Sequence, residues 1–508
     1  MPHLCVETSW YGDKLREISS GGLLCYDGFM LVDLIDFARL PGGESGARQR
    51  AFGAVIDLLR RKLGVSIGYD ARRFPFGDFR LVDAVRIGEK LREKKIIRGF
   101  APVDVTLSDE PTFYWWSALC DTPNGQPVSG ASFESSEKAL LATLAEGLER
   151  YIWLTQSDYF VGLVRASEAQ IEKKGPVIGV REWVGFSDEQ RSLSAKRTLK
   201  ADAQYEWIQA HSLVSNKRCY IPAQIVSPLR TMDAGIEPEP VIRQLHTTGL
   251  ATWPTQSGAR LAGALEVIER EAYMIMWLNQ LSLPRIDIEY LKKTDPLLER
   301  AFTQCARYRL KAHVVRLLTD APTHAICVVL EDESAVAPRF AIGLNAHRSL
   351  TRAVLKALTE ALRARGGYRM NFIKDLAWRP EMPVIEIGHR DRLLYWGEHP
   401  ENLEFMIRGT VEVPEQRAWE RDSESGHLAR LVAWCQEERL ECVSVSLGIS
   451  KTNPTNLHIE MVAMPELQPT YLHEEERAFG GTRWRTIPEK FGYRALAQPF
   501  SERPHPFS

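Results

Sequence analysis

A twelve-residue stretch occurs twice in this chain, 120 residues apart, and both copies have helical spacing. The first copy runs from Ala139 to Arg150 and the second from Ala259 to Arg270. Two alanines, a leucine, two glutamates and the arginine coincide. Solenoid repeats have shorter periods, so the spacing favours one duplicated unit, a helix lying on a sheet. The repeat therefore predicts an α/β (α+β) fold built around two related helices.

Each copy carries acidic residues at positions i and i+3 and an arginine at i+4. These positions share one helix face, so we expect three side chains to project together from each helix. The two sets are Glu146, Glu149 and Arg150, and Glu266, Glu269 and Arg270. If the faces meet across a cleft, four carboxylates require a cation, and arginines bind phosphate oxygens. The pattern indicates a nucleoside triphosphate with Mg²⁺. The alternative for either copy alone is a solvated helix face with an internal ion pair.

Periodicity and loop residues divide the chain into three parts. Residues 1–105 are predicted to form a small mixed module, with helices at 51–63 and 82–94. Residues 106–480 form the main domain, and residues 481–508 a proline-rich tail. Within the main domain, we predict a helix over 140–152 with Ser135 or Ser136 as its N-cap. Further predicted elements are helices over 257–281 and 350–364, a hairpin joining 324–330 to 340–344, and a strand pair at 443–447 and 457–463.

Composition excludes several classes of protein. The 508 residues carry 64 Lys+Arg and 66 Asp+Glu, a net charge of -2, which gives no bulk attraction to nucleic acid. No apolar run has the length of a membrane span, and the N-terminus lacks the pattern of a secretion signal. The eight cysteines are scattered without a Cys-x-x-Cys pair, as in a reduced protein. We therefore expect a cytoplasmic protein.

Other catalytic and nucleotide-binding motifs are missing from the sequence. It contains neither a phosphate loop of the Gly-x-x-x-x-Gly-Lys-Ser/Thr type nor Gly-x-Gly-x-x-Gly. His-Glu-x-x-His and Gly-x-Ser-x-Gly are also absent. Trp115 and Trp116 are predicted to be core residues, the alternative being a peptide-binding groove.

Four ordered segments resemble the signatures of YcaO-domain proteins. They are residues 132–150, residues 247–279, residues 357–365 and the ending 504–508. The third is similar to Ala-Leu-Thr-Glu-x-x-Gln-x-Arg. The last resembles the Pro-x-Pro-x-Pro ending of YcaO proteins that form azoles in peptides. The similarity covers roughly residues 110–508.

The resemblance implies ATP-dependent chemistry on the backbone of a ribosomally made precursor peptide. In azoline-forming members, a Cys, Ser or Thr side chain attacks the preceding amide, and ATP phosphorylates the resulting oxygen. By motif position, the carboxylates of Glu146, Glu149, Glu266 and Glu269 would hold Mg²⁺, and Arg150, Arg270 and Arg365 would contact phosphates. The tail of such proteins reaches the active site, which implies catalytic roles for Pro504, Pro506 and Ser508.

The same resemblance implies partners. These enzymes use a leader-binding protein of the ThiF type, and the 105 residues ahead of the main domain are too few to contain one. We therefore expect a separate ThiF-like partner, a flavin (FMN) dehydrogenase that oxidises azolines, and a homodimer.

Three positions depart from the family pattern. Ala131 replaces the lysine of Gly-Lys-Gly, Gly258 occupies a position where an acid is expected, and Arg363 replaces the glutamine of the third signature. These changes favour one alternative to azoline formation, a catalytically degenerate YcaO-like scaffold that binds peptide or partner. A second alternative keeps the ATP site but is an enzyme that makes thioamides or amidines, and the proline-rich tail argues against it.

Overall fold

The computed structural model describes residues 81–507, apart from 104–109, 123, 156–161, 201, 229–238, 335–337, 375–391, 393–394, 398, 448–452 and 454. The predicted helix at 51–63, most of the predicted N-terminal module and Ser508 lie outside these residues. The predicted division at residue 105 stays a prediction, although a strand on its N-terminal side pairs with one beyond it.

Helices and strands alternate along most of the described chain. The α-helices are α1 (Leu81–Glu93), α2 (Ser136–Thr155), α3 (Glu168–Ile171), α4 (Asp188–Ser192), α5 (Gln256–Asn279), α6 (Ile288–Thr294), α7 (Pro296–Arg307), α8 (Leu350–Lys374), α9 (Glu424–Glu438) and α10 (Arg483–Lys490). The strands are β1 (Ile97–Pro102), β2 (Tyr114–Cys120), β3 (Pro127–Ser132), β4 (Val164–Ala166), β5 (Tyr205–Ser212), β6 (Arg218–Pro222), β7 (Leu250–Trp253), β8 (Arg285–Ile286), β9 (Leu310–Arg316), β10 (His324–Asp332), β11 (Phe340–His347), β12 (Val411–Glu412), β13 (Val443–Ser446) and β14 (His458–Ala463).

The strands form three sheets in the described residues. The first has the order β1-β2-β3, and the second has the order β11-β10-β9-β8-β12. The third has the order β4-β5-β13-β14-β7, with β6 added to β5. The strand pairs are antiparallel except β8 with β12. The predicted hairpin is confirmed, with Ile326 opposite Asn345, and the predicted late strand pair is confirmed, with Val443 opposite Ala463.

One long helix packs on each sheet. Helix α2 contacts β2 and β3, α5 contacts β14 and β7, and α8 contacts β11 and β10. Glycine makes the close approach possible in all three. A Cβ atom on Gly130 would lie 2.5 Å from the Ala139 carbonyl oxygen, one on Gly343 would lie 2.1 Å from that of Ala357, and one on Gly263 would lie 2.4 Å from the Gly249 oxygen. The predicted α/β fold of helices on sheets is confirmed.

The predicted helix boundaries hold closely at the two repeated segments. Ser135 caps α2, because its hydroxyl accepts a hydrogen bond of 3.3 Å from the Lys138 amide. Thr255 caps α5 in the same way, accepting from the Gly258 amide at 3.1 Å. Helix α8 continues to Lys374, ten residues beyond its predicted end at 364. Tyr368, which is 1% exposed, extends the buried face of the helix beyond residue 364.

The core is apolar and lies between the sheets and their helices. Trp115 and Trp116 are buried, as predicted for core residues, and the Trp116 indole donates to the Ser136 hydroxyl at 2.9 Å. None of the helices in the described ranges combines the length and apolar composition needed to cross a bilayer.

Candidate functional site: converging acidic helices

Each repeated helix holds its acidic face through internal ion pairs. On α2, Arg150 Nη2 lies 3.6 Å from Glu146 Oε1. On α5, Arg270 Nη2 lies 3.5 Å from Glu266 Oε1, and Arg270 Nη1 is paired with Glu269 Oε1. The predicted sharing of one helix face therefore holds within each copy.

The two faces lie close enough to act on one another electrostatically. The pKa of Glu149 is raised to about 8, mainly by burial. The charge of Arg150 opposes this shift, and the carboxylates of Glu146 and Glu266 contribute to it. Glu266 in turn is stabilised in its charged form by Arg150 as well as by Arg270, although burial raises its pKa overall. Carboxylates from helices over 100 residues apart in sequence thus share one partly desolvated region.

A fifth acidic residue, Glu360 on the third long helix α8, belongs to the same region. Its charge raises the pKa of Glu269, which burial takes to about 8 against the effect of Arg270. Glu360 Oε2 accepts a hydrogen bond of 2.6 Å from the Leu344 amide in β11. The sequence does point to Glu360, because it is the acidic residue of the third signature. The family resemblance, however, implies a role only for Arg365 in that signature.

Backbone amides fix the carboxylates of α5. The Gly249 amide donates to Glu266 Oε2 at 3.1 Å, just before β7 begins. The Ala346 amide, at the end of β11, donates to Glu269 Oε2 at 2.9 Å. The sheets on both sides of α5 therefore orient the acidic group, which stabilises the charged carboxylates against burial.

Five glutamates form what we call the Glu-acidic cluster: Glu146, Glu149, Glu266, Glu269 and Glu360. Their carboxylate oxygens are suitable ligands for Mg²⁺. Oxygen ligands from carboxylates are the ones this ion prefers, and it commonly takes one or two from protein, with phosphate oxygens and water completing the shell. In the part of the chain that the structure describes, no three acidic, histidine or cysteine side chains stand close enough to hold one ion alone. The cluster therefore fits Mg²⁺ that also binds a nucleotide.

The structure does not bring Arg365 to this cluster. All three of its guanidinium nitrogens are engaged elsewhere, since Nε contacts Glu110 Oε1 at 3.0 Å, Nη2 contacts Asp332 Oδ2 at 2.7 Å and Nη1 donates to the Pro338 carbonyl at 3.1 Å. Its side chain is only 3% exposed. Arg365 is placed as the centre of a buried ion-pair network. Its expected phosphate contact stays a prediction without support from this geometry.

The C-terminal tail does reach the Glu-acidic cluster. The guanidinium carbon of Arg270 lies 4.3 Å from the centre of the Phe507 ring. The Phe507 amide donates to the Tyr273 hydroxyl at 3.2 Å, on the same helix. Pro504 and Pro506 are buried beside it. Ser508 is outside the described residues, and the catalytic roles expected for Pro504, Pro506 and Ser508 stay predictions.

The departure at Gly258 has a structural explanation. A Cβ atom there would lie 1.8 Å from Trp253 Cδ1, so the indole occupies the space of a side chain. Glu424 of α9 accepts from Trp253 Nε1 at 2.9 Å and from the Thr255 hydroxyl at 3.0 Å. A carboxylate from a distant helix therefore stands at the N-terminus of α5, where a neighbouring acid was expected. Nothing in the sequence spacing predicts this contact.

Arg363, the second departure, forms a hydrogen bond with the first sheet and not with the Glu-acidic cluster. Its Nη1 donates to the Ser129 carbonyl of β3 at 2.6 Å. The side chain thereby links α8 to the first sheet. Ala131, the third departure, is partly buried in β3 opposite Trp115.

Solved structures share this architecture at low sequence identity. A heterocyclase in complex with substrate and cofactor superposes with a TM-score of 0.64 at 19% identity, covering 84% of this chain and 57% of the other. YcaO from Methanopyrus kandleri, bound with AMPPCP and Mg²⁺, gives 0.54 at 16% identity, covering 79% and 94%. The Escherichia coli microcin synthetase McbBCD complex with bound pro-MccB17 gives 0.53 at 15% identity, covering 72% and 88%.

Sequence comparison agrees with the structural one. An uncharacterised protein of Methanothermobacter thermautotrophicus is 23% identical over 183 residues, which are 36% of this chain and 46% of that protein. This chain thus spans less than half the length of that curated relative. A family model described as YcaO cyclodehydratase, ATP- and Mg²⁺-binding, matches residues 131–467, well over half of the chain. That span contains the acidic faces of α2, α5 and α8, and the chain accordingly belongs to the YcaO cyclodehydratase family, whose cofactors are ATP and Mg²⁺.

Proposed function

We propose that this protein is the ATP-dependent subunit that forms thiazoline or oxazoline rings in a ribosomally made precursor peptide. The observation that carries the proposal is the convergence of the acidic faces of α2 and α5, where the Glu266 carboxylate raises the pKa of Glu149 and Arg150 acts to lower the pKa of Glu266. Buried carboxylates repel one another and destabilise the fold unless cations offset their charge. A bound metal ion and its nucleotide would supply that compensation and give the cluster a function.

The reaction converts one peptide amide into a ring. A Cys thiol or a Ser or Thr hydroxyl of the precursor adds to the preceding carbonyl carbon and gives up its proton, and the carbonyl oxygen receives the γ-phosphoryl group of ATP. Phosphate then leaves with that oxygen, the nitrogen loses its proton, and a carbon–nitrogen double bond closes the azoline. The peptide loses the elements of water, and ATP becomes ADP and phosphate. Phosphorylation is needed because an unmodified amide oxygen is a poor leaving group.

The residues of the cluster and the arginines beside it would have different roles in this reaction. Glu146, Glu149, Glu266 and Glu269 would hold Mg²⁺, together with Glu360, which is oriented by β11. Bound Mg²⁺ supplies positive charge next to the transferring phosphoryl group. Arg150 and Arg270 offer guanidinium groups on the same faces, suited to phosphate oxygens. Phe507 packs on Arg270 and limits the directions in which that guanidinium can turn.

The proposed partners follow from the resemblance to the family. A precursor peptide needs to be held while one residue after another reacts, and a separate ThiF-like protein would bind its leader. An FMN-dependent dehydrogenase would oxidise the rings, and the subunit would act as a homodimer in the cytoplasm. The bound pro-MccB17 in the McbBCD complex supports the assignment of a peptide substrate.

The test replaces single carboxylates without changing their size. Glu149→Gln and Glu269→Gln are each expected to lower ring formation at least about a hundredfold, because electrostatic stabilisation of phosphoryl transfer is lost. Ring formation is measured as an 18 Da loss per azoline in the mass of the precursor, with the ThiF-like partner present. Glu489→Gln, on the exposed side of α10, is the matched control. Full activity of both cluster variants would disprove the assignment of the site.

The second candidate is a scaffold without turnover. It is favoured by Trp253, which fills the space beside Gly258 where an acidic ligand was expected. Calorimetric titration with Mg²⁺ and a non-hydrolysable ATP analogue separates the two. Binding that Glu269→Gln abolishes supports the enzyme, and absence of binding with the partner present supports the scaffold.

A further inference from the structure

A small pocket opens beside Arg270, between α5 and the end of β14. Its polar lining comes mainly from the segment that precedes β7. The lining residues that matter here are Arg243, His246, Thr248, Arg270 and Gln468. Among the residues that the structure describes, no aspartate or glutamate lines this cavity, although the Glu-acidic cluster includes two residues of the same helix.

Arg243 brings an uncompensated positive charge to this cavity. It is buried, and burial alone lowers the pKa of its guanidinium to about 10, with no neighbouring charge acting on it. Within the described residues, no carboxylate pairs with it. Nη1 donates to the Val184 carbonyl at 3.4 Å, and the guanidinium lies 5.6 Å from the Trp183 ring. A buried arginine without an anion is costly, so a bound anion would stabilise it.

His246 adds a polar group without a partner. Its side chain lines the same cavity and is more than nine-tenths buried, and neither ring nitrogen has a hydrogen-bond partner in the described part of the chain. Burial, together with the positive charges of Arg243 and Arg270, lowers its pKa to about 3. The imidazole is therefore neutral at pH 7 and carries one N–H donor. An orphaned buried donor of this kind indicates a ligand or water that accepts from it.

We propose that Arg243, His246 and Arg270 form a binding site for a phosphate group. Arg243 and His246 supply a guanidinium and a neutral N–H donor without a carboxylate partner in the described residues, and Arg270, which also pairs with Glu266 and Glu269, borders the same cavity. Such donors match the acceptors of a tetrahedral oxyanion. The choice of phosphate over other oxyanions rests on the proposed function, which releases phosphate next to Arg270. The phosphate has two sources, the terminal phosphate of the bound nucleotide or the free phosphate left after ring closure.

The test uses inorganic phosphate on the whole chain, without nucleotide or Mg²⁺. Calorimetric titration with sodium phosphate, against sodium chloride of equal ionic strength, is expected to show binding. Arg243→Met should weaken it at least about tenfold, since a charged hydrogen-bonding group is lost. His246→Leu should weaken it by a smaller factor.

Arg243→Met should also melt at the same or a higher temperature without phosphate, because an unpaired buried charge is removed. This second measurement excludes loss of folding as the cause.

Arg197→Met is the matched control. Arg197 also stacks on an aromatic ring, lying 4.1 Å from the centre of Phe186, but it is not among the residues that line the cavity. Equal phosphate affinity in the wild type and Arg243→Met, or no binding by the wild type, would overturn the proposal. So would an equal loss in Arg197→Met.

Two further arms identify the source and separate this proposal from the proposed function. Competition by the Mg²⁺ complex of a non-hydrolysable ATP analogue assigns the site to the terminal phosphate, whereas phosphate binding in the presence of Mg²⁺ and ADP assigns it to the released product. Glu149→Gln, on the opposite helix, is expected to abolish ring formation and leave phosphate binding within about twofold. The two proposals therefore fail on different measurements.

Discussion

At Glu149 and Glu269, burial and neighbouring carboxylates act in the same direction. Both raise the pKa, to about 8 in each residue, and the adjacent arginine is the largest of the effects that oppose them. In the metal-free protein the cluster therefore takes up protons near neutral pH. Proton uptake is the alternative to cation binding as a way of relieving the repulsion.

Stability of the metal-free protein should consequently fall as the pH rises. Between the unfolded pKa of about 4.3 and the folded value of about 8, the native state holds more protons than the unfolded state, so the free energy of unfolding decreases with pH. One such group contributes at most about 1.4 kcal/mol per pH unit. Thermal unfolding from pH 5.5 to 8.5 measures the slope, which Glu269→Gln should flatten. Parallel profiles for the two proteins would contradict the shift.

Magnesium should reverse this dependence, because it binds the ionised carboxylates. Below pH 8 the ion displaces protons, so affinity for Mg²⁺ with a non-hydrolysable ATP analogue should rise with pH, by up to about tenfold per unit for each proton released. Titration calorimetry in buffers of different ionisation enthalpy counts the protons. Binding that is independent of pH from 6 to 8 would show that Glu149 and Glu269 are not the ligands.

Arg365 is expected to matter for stability. Glu110→Gln removes the carboxylate that Arg365 and Arg369 share, leaving buried positive charge uncompensated. We expect a loss of about 3 kcal/mol in the free energy of unfolding, measured by denaturant titration. Glu289→Gln, which breaks the exposed pair with Lys292, should cost less than about 1 kcal/mol. If Glu110→Gln instead leaves stability intact and weakens nucleotide binding, the phosphate role expected from the sequence is favoured.

At the scale of helices and strands, each long helix approaches its sheet at a glycine. Gly343→Ala would place a methyl group 2.1 Å from the Ala357 carbonyl oxygen of α8, and backbone on both sides must move. We expect a loss of about 2 kcal/mol or more in the free energy of unfolding. Gly99→Ala, in β1, meets nothing within 4 Å and is the matched control, with an expected change within about 0.5 kcal/mol. Equal stability of the two variants would contradict the close packing.

Sequence reasoning predicts this level of structure well. The helices α2 and α5, the N-cap of α2, and the two strand pairs follow from local periodicity and capping residues, which act over a few positions. The partner of each element does not follow. Glu424 beside Trp253, Arg363 on the Ser129 carbonyl and Arg365 on Glu110 are contacts between residues more than 100 positions apart in the sequence. Sequence predicts which face is acidic, and packing decides what that face meets.

At the scale of the whole molecule, the C-terminal tail residue Phe507 packs on helix α5. Phe507→Ala removes the ring that packs on Arg270 and is expected to lower ring formation about tenfold, because a cation–π contact of about 1–2 kcal/mol orients the guanidinium. Mass spectrometry of the precursor measures the rate, with Phe491→Ala, an exposed site, as control. Loss of rate with unchanged nucleotide affinity would identify positioning. An unchanged rate would show that the tail contact has no part in the reaction.

The acidic group takes two members from α2, two from α5 and one from α8, three helices that lie on three separate sheets. No continuous fragment that ends before Glu360 can therefore carry the complete acidic group. A chain severed between Glu149 and Glu266 would bind magnesium nucleotide only if its halves reassociate. Complementation of two inactive fragments thus becomes a direct assay for assembly of the three layers.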